Sequence, residues 1–183
     1  NERATDDINA LWERFFKESV GQSVTDKVDD VIYAVYSDYE GDYEKPYRLT
    51  IGYRVNAVEV SDTMHHVRVQ GAEYAMMSAA GEQPKALLET WEAIWSSDLD
   101  RAYKTDFEVY GPRFFEDGVN EVLVDGRQLD GQTGVECLDD FVVTLHDRYF
   151  RVLILKCLNG FDCVRILMRT ISVVLPVRRD CHD

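Results

Sequence analysis

Thr90-Trp-Glu-Ala-Ile-Trp95 and, after a short polar stretch, Asp106-Phe-Glu-Val-Tyr110 decide how this chain is read. Leu87, Trp91, Ile94 and Trp95 recur at i, i+4, i+7 and i+8, which is one face of a helix. Pro84 suits its first turn, so a helix is expected from there to about Ser97. Thr105 to Tyr110 reads as the strand that follows. Period-two alternation puts Asp106, Glu108 and Tyr110 on one face and Phe107 and Val109 on the other.

The first half of the chain repeats this pattern. Leu11-Trp-Glu-Arg-Phe-Phe16 lies on a helix expected to be capped by Asp6-Asp7 and to run to about Ser19, with Ile8, Leu11, Trp12, Phe15 and Phe16 on one face. Ile32-Tyr-Ala-Val-Tyr36 then parallels Asp106–Tyr110. Tyr47 to Val60 and Val67 to Ser78 read as further strands, and Val119 to Val124 as the last of the set. A helix-strand-strand unit used twice cannot cover its own sheet face and pairs with its copy, leaving a groove along the seam. In the tail, Asn159-Gly160 signals a hairpin within an apolar stretch, with a short helix over Leu153 to Leu158 as the alternative.

Charge divides the chain near Val124. Residues 1–124 carry 12 Lys/Arg against 25 Asp/Glu, whereas residues 125–183 carry 8 against 9. The net charge of −14 repels phosphate backbones, so no nucleic acid is expected as a partner. Two parts are therefore expected: a domain over residues 1–124 and an extension over 125–183. All four cysteines (Cys137, Cys157, Cys163, Cys181) fall in the extension without CxxC spacing, which speaks against zinc and for free thiols. No apolar run is long enough to cross a membrane and the first residues do not resemble a signal peptide, so a cytoplasmic location is expected.

Glu108 is the chemical centre. A mid-strand carboxylate facing aromatic residues is costly to desolvate unless paired. An organic cation would supply the pairing, and aromatic faces would add cation–π attraction of roughly 0.5–2 kcal/mol each. Tyr33, Tyr36, Tyr53, Tyr74, Trp91, Trp95 and Tyr110 are the candidate walls. A solvated carboxylate, or an internal ion pair with Arg54 or Arg101, is the competing reading. His65-His66 cannot share a metal ion, because adjacent strand residues face opposite ways. Phosphate-loop, dinucleotide, nucleophile-elbow and zinc-protease motifs are absent, and no cofactor is expected.

Ile32-Tyr-Ala-Val-Tyr-Ser-Asp-Tyr39, Tyr47–Val55 with Ile51-Gly52, Gln70-Gly-Ala-Glu-Tyr-Ala75, Leu88–Trp95 and Asp106–Tyr110 together resemble the GyrI-like family. This is the effector-binding domain found at the end of AraC-type and MerR-type regulators. The resemblance covers about residues 7–124 and extends to standalone members carried on mobile integron cassettes. It implies an α+β domain: two pseudo-symmetric β-α-β-β repeats, an antiparallel sheet with helices on one face, and a central ligand cleft. In multidrug-sensing members the glutamate matching Glu108 contacts cationic lipophilic ligands.

The chain departs from the family pattern at two points. It starts almost at the first helix, without the family's leading strand. The family's closing Pro-Val-Lys has its counterpart only at Ser172-Val-Val-Leu-Pro-Val-Arg178, some 50 residues after Val124. A strand from the β-rich tail is one candidate for the missing edge. With no helix-turn-helix in the sequence, the expected role is to sense or sequester amphipathic organic cations. Hydrolysis with Glu108 as general base, and an acidic protein-docking role of gyrase-inhibitor type, are the alternatives. The apolar stretch 141–177 makes a homodimer through the extension a further expectation.

Overall fold

The computed structural model describes residues 2–56, 64–126, 135–138 and 141–146. Helix α1 spans Glu2–Lys17 and a single turn, α2, spans Val20–Ser23. Then follow β1 (Lys27–Ser37), β2 (Arg48–Val55), β3 (Met64–Val69), β4 (Ala72–Ala80) and α3 (Lys85–Ser96). The remaining elements are β5 (Thr105–Tyr110), α4 (Pro112–Asp117), β6 (Val119–Asp125), β7 (Val135–Leu138) and β8 (Phe141–His146). The fold is α+β. The hairpin at Asn159-Gly160 and the apolar stretch beyond His146 lie outside the described residues.

Three elements differ from expectation. Helix α1 contains Asp6 and Asp7 rather than starting after them, because no Gly or Pro interrupts the residues that precede them. The single strand expected over Val67–Ser78 is two, broken at Gln70-Gly71. Between the turn residues Gly111 and Gly118 stands the short helix α4, which Gly118 ends at φ 68°, a left-handed conformation that glycine adopts without a Cβ penalty.

All paired strands are antiparallel, in the order β3-β8-β2-β1-β5-β6-β4-β7. β1 and β5 are central, with Ala34 opposite Glu108 and Tyr36 opposite Asp106. Two strands from beyond Val124 join the sheet: β8 pairs with β2 and β3, and β7 pairs with β4. β3 and β4 stand near opposite ends of that order, yet only Gln70 and Gly71 separate them. Three Cα–Cα steps span at most about 11 Å, so the two ends meet at one corner and the sheet curls.

The curl gives the sheet two buried faces. Inside it, strand residues alone form a core of Val35, Val67, Val69, Tyr74, Phe107, Leu123 and Val143. On the outer face α1 lays Ile8, Trp12 and Phe15 against Ile32, Ala34, Ile51, Tyr53 and Tyr110. Helix α3 lays Leu87, Trp91 and Ile94 against Ala79, Val122 and Val124. The two helices therefore cover separate parts of one face, and the even-numbered residues of β1 and β5 lie between them. Burying an aromatic or aliphatic side chain stabilises by roughly 1.5–3 kcal/mol, so these two stripes hold the helices in place.

Candidate functional site

Two carboxylates sit side by side on that face, Asp106 and Glu108, and they are 0% and 2% exposed. Their surroundings differ in kind. Asp106 is neutralised within the protein: Arg101 donates to its Oδ2 at 2.6 Å, Tyr39 donates to the same oxygen at 2.6 Å, and the Asp125 backbone N–H donates to Oδ1 at 2.9 Å. Arg101 is itself buried and stacks over Tyr103 at 4.4 Å.

Glu108 has no cation beside it among the described residues. It accepts three hydrogen bonds instead, from Tyr36 Oη to Oε1 at 2.8 Å, from Trp91 Nε1 to Oε1 at 2.7 Å, and from Tyr110 Oη to Oε2 at 2.6 Å. Burial pushes its pKa above the ordinary glutamate value, and the three hydrogen bonds, which favour the ionised form, oppose that rise without cancelling it. The same burial, with Glu108 adjacent, pushes the Tyr36 and Tyr110 hydroxyls well above the usual phenol range, so both remain donors.

Strand alternation and helix spacing bring these groups together. Tyr36 projects from the end of β1, Tyr110 lies two residues beyond Glu108 on β5, and Trp91 points inward from the middle of α3. From this centre an aromatic chain runs outward. Tyr36 lies 5.3 Å from Trp91 and 5.4 Å from Tyr47, Trp91 stacks on Trp95 at 6.0 Å, and Trp95 stacks on Tyr43 at 5.7 Å. In the other direction Tyr47 meets Tyr39 at 5.5 Å, and Tyr39 meets Tyr103 at 5.7 Å. Trp91 is buried, whereas Tyr36, Tyr39, Tyr43, Tyr47, Trp95 and Tyr103 are half-buried and form the outer wall.

Of the residues singled out in the sequence, Glu108, Tyr36, Trp91, Trp95 and Tyr110 come together here. Tyr33, Tyr53 and Tyr74 do not. Tyr33 points into the curl beside Phe107, and burial raises its hydroxyl to about 12. Tyr74 occupies the same inner core, with its hydroxyl bonded to the Gln70 carbonyl and within 3.2 Å of Thr105 Oγ1. Tyr53 packs under α1 against Phe15 at 5.6 Å. The internal ion pairs weighed for Glu108 are not formed: Arg101 serves Asp106, and Arg54 lies near Tyr33 and Asp29.

Tyr39, Tyr43, Tyr47 and Tyr103 were not singled out. The first three recur every fourth residue from the end of β1 to the start of β2, and that spacing was the available signal. Among the described residues no three His, Cys, Asp or Glu side chains converge as metal ligands would, and no helix is long and apolar enough to cross a membrane.

No curated protein and no solved structure matches this chain. A family model does: Cass2, described as integron-associated effector binding protein, matches residues 1–128. That span holds helices α1 to α4, the carboxylate pair and the whole aromatic chain, and the chain belongs to the family of integron-associated effector-binding proteins.

Proposed function

We propose that this protein binds amphipathic organic cations, with Glu108 as the charge partner and the aromatic chain from Tyr39 to Trp95 as the apolar wall. Membership of an effector-binding family supplies the coarser statement, that the ligand is a small molecule. One observation carries the finer one. Of two adjacent buried carboxylates, Asp106 has its cation inside the protein, while Glu108 has hydrogen-bond donors and no cation among the described residues. A buried ionised group without a counter-charge is costly, and an incoming cation lowers that cost where a neutral ligand cannot.

Access comes from the half-buried side. Tyr36 and Trp95 are half-buried, and swinging the Tyr36 ring aside opens the way to the Glu108 carboxylate at the loss of one hydrogen bond. Each aromatic face that then meets the cation adds roughly 0.5–2 kcal/mol. The net charge of −14 helps gather cations before they bind.

The strand order supports the duplicated architecture as well. Reading outward from the β1–β5 seam gives β1-β2-β8 on one side and β5-β6-β4 on the other. In this reading β4-α3-β5-β6 is one repeat. Its copy is α1-β1-β2 with β8 in place of a leading strand, so the region beyond Val124 completes the ligand-binding domain. The extension's share in a homodimer stays part of the proposal.

Tryptophan fluorescence tests the binding, since Trp91 touches Glu108 and Trp95 stacks on Trp91. Lipophilic cations are titrated against neutral analogues of the same shape. Saturable quenching by the cations, with affinity well above that of the analogues, is the expected result. Equal response to both series would remove the role given to the charge.

A further inference from the structure

Asn120 is a polar side chain that neither the fold nor the cation reading uses. It is 0% exposed in β6, and neither its amide nitrogen nor its amide oxygen has a hydrogen-bond partner. Its neighbours Val122 and Val124 face α3, so Asn120 points to the same side of the sheet as Glu108. Glu108 lies opposite Val122 in the β5–β6 ladder, and the register therefore sets Tyr110 beside Asn120. The amide is near enough to the Tyr110 hydroxyl to offset part of what burial does to it, although the pair completes no well-aligned bond.

Tyr110 links this amide to the carboxylate, because its hydroxyl donates to Glu108 Oε2. The acceptor capacity of Glu108 is unevenly used. Oε1 already takes two donors, Tyr36 and Trp91, while Oε2 takes Tyr110 alone. An ionised carboxylate offers about four lone-pair sites, so the free one is on Oε2, on the Tyr110–Asn120 side. Asn120 Oδ1 is a second unfilled acceptor, on the neighbouring strand beside Tyr110. Two open acceptors beside one negative charge match a cation that carries N–H groups.

We propose that Asn120 is a specificity-determining residue of this site, and that the preferred ligand is a protonated amine whose N–H groups are received by Glu108 Oε2 and Asn120 Oδ1. This rests on Glu108 being the charge partner. A quaternary ammonium satisfies the charge and leaves both acceptors empty, as they are without ligand, so it gains none of the hydrogen-bond energy that an N–H brings.

The test is calorimetric titration of the full chain with 2-naphthylmethylamine, its N,N-dimethyl derivative and its N,N,N-trimethyl salt, at a pH where all three are cations. The primary amine, with N–H groups for both acceptors, is expected to bind about tenfold or more tighter than the quaternary salt, and the dimethyl amine, with one N–H, to fall between the two. The dimethyl amine is nearly as bulky as the salt, so its advantage over the salt separates hydrogen bonding from size. In Asn120→Leu the primary amine is expected to come within about threefold of the dimethyl amine, each keeping one N–H on Oε2, with the ratio of dimethyl amine to salt unchanged.

Melting of the ligand-free Asn120→Leu variant is expected to stay close to that of the parent, since removing an unpartnered amide offsets the greater bulk of an apolar group of similar shape. Should that variant fail to fold, Asn120→Asp keeps the acceptors and must keep the preference for amines. Equal affinity for amines and salt, or a preference for the primary over the dimethyl amine unchanged in Asn120→Leu, would overturn the role of Asn120 and leave the charge role of Glu108 standing. Binding of none of the three would overturn the cation reading itself.

Discussion

Replacing Glu108 with Gln removes the charge and nearly keeps the shape. The amide oxygen can still accept from Tyr36 and Trp91, which share Oε1 in the native protein. The amide NH2 then faces Tyr110, whose hydroxyl can rotate to accept where it now donates. The ligand-free variant also no longer buries a carboxylate, so its stability should stay within about 1 kcal/mol of the parent. Binding is affected far more. An ammonium about 4 Å from a carboxylate gains on the order of 4 kcal/mol at an effective dielectric of 20, part of which is offset by desolvation. Measured hydrogen bonds to charged groups are worth about 1.5–3 kcal/mol net, so cation affinity should drop about 10- to 150-fold. Calorimetry with a lipophilic cation and its neutral isostere reads both. A comparable loss for the isostere, with an unchanged melting temperature, would refute the reasoning, because the effect would then lie in the shape of the wall.

Three further outcomes follow from the same geometry. Cation affinity should rise with pH through the elevated titration range of Glu108, because only the ionised form attracts the ligand. The group's contribution to stability has the opposite sign: it is full below the ordinary value of 4.5 and is lost as pH rises through the higher folded value. Dissociation constants for a permanently charged ligand across pH 4–8 measure this (a window of about four units around the carboxylate and imidazole ranges), and Glu108→Gln should flatten the profile. Trp91→Phe keeps a ring and loses the 2.7 Å bond to Oε1, which should cost about 1–3 kcal/mol in urea denaturation and move the midpoint of the pH profile upward. Arg101→Met strands Asp106 without its cation and should destabilise by about 3–5 kcal/mol, a loss that equilibrium unfolding detects.

The helix carrying Trp91 and Trp95 and the strand carrying Glu108 and Tyr110 were legible because spacing alone fixes which residues of one element share a face. The same rule, applied more strictly, separates Tyr33 from Tyr36: three positions apart on one strand, they must point to opposite sides. Tyr53 and Tyr74 were beyond such an argument. Their environment depends on which strand pairs with which, and on the curl that gives the sheet an inner core, both products of long-range contact. The contrast between Asp106 and Glu108 was equally hidden. Arg54 and Arg101 were both in reach of Glu108 on paper, and only the fold assigns Arg101 to Asp106. Asn120 gave no signal, because an asparagine in a strand shows its missing partners only once its burial is known.

A structure of the protein with a bound lipophilic amine tests the central claim most directly. The account predicts the cationic nitrogen within about 4 Å of the Glu108 carboxylate, with the Tyr36 or Trp95 ring turned to admit the ligand. A ligand seated instead in the groove of about 410 Å³ on the other flank of α3, lined by Met77, Ala86, Ala93 and Leu99, would contradict it.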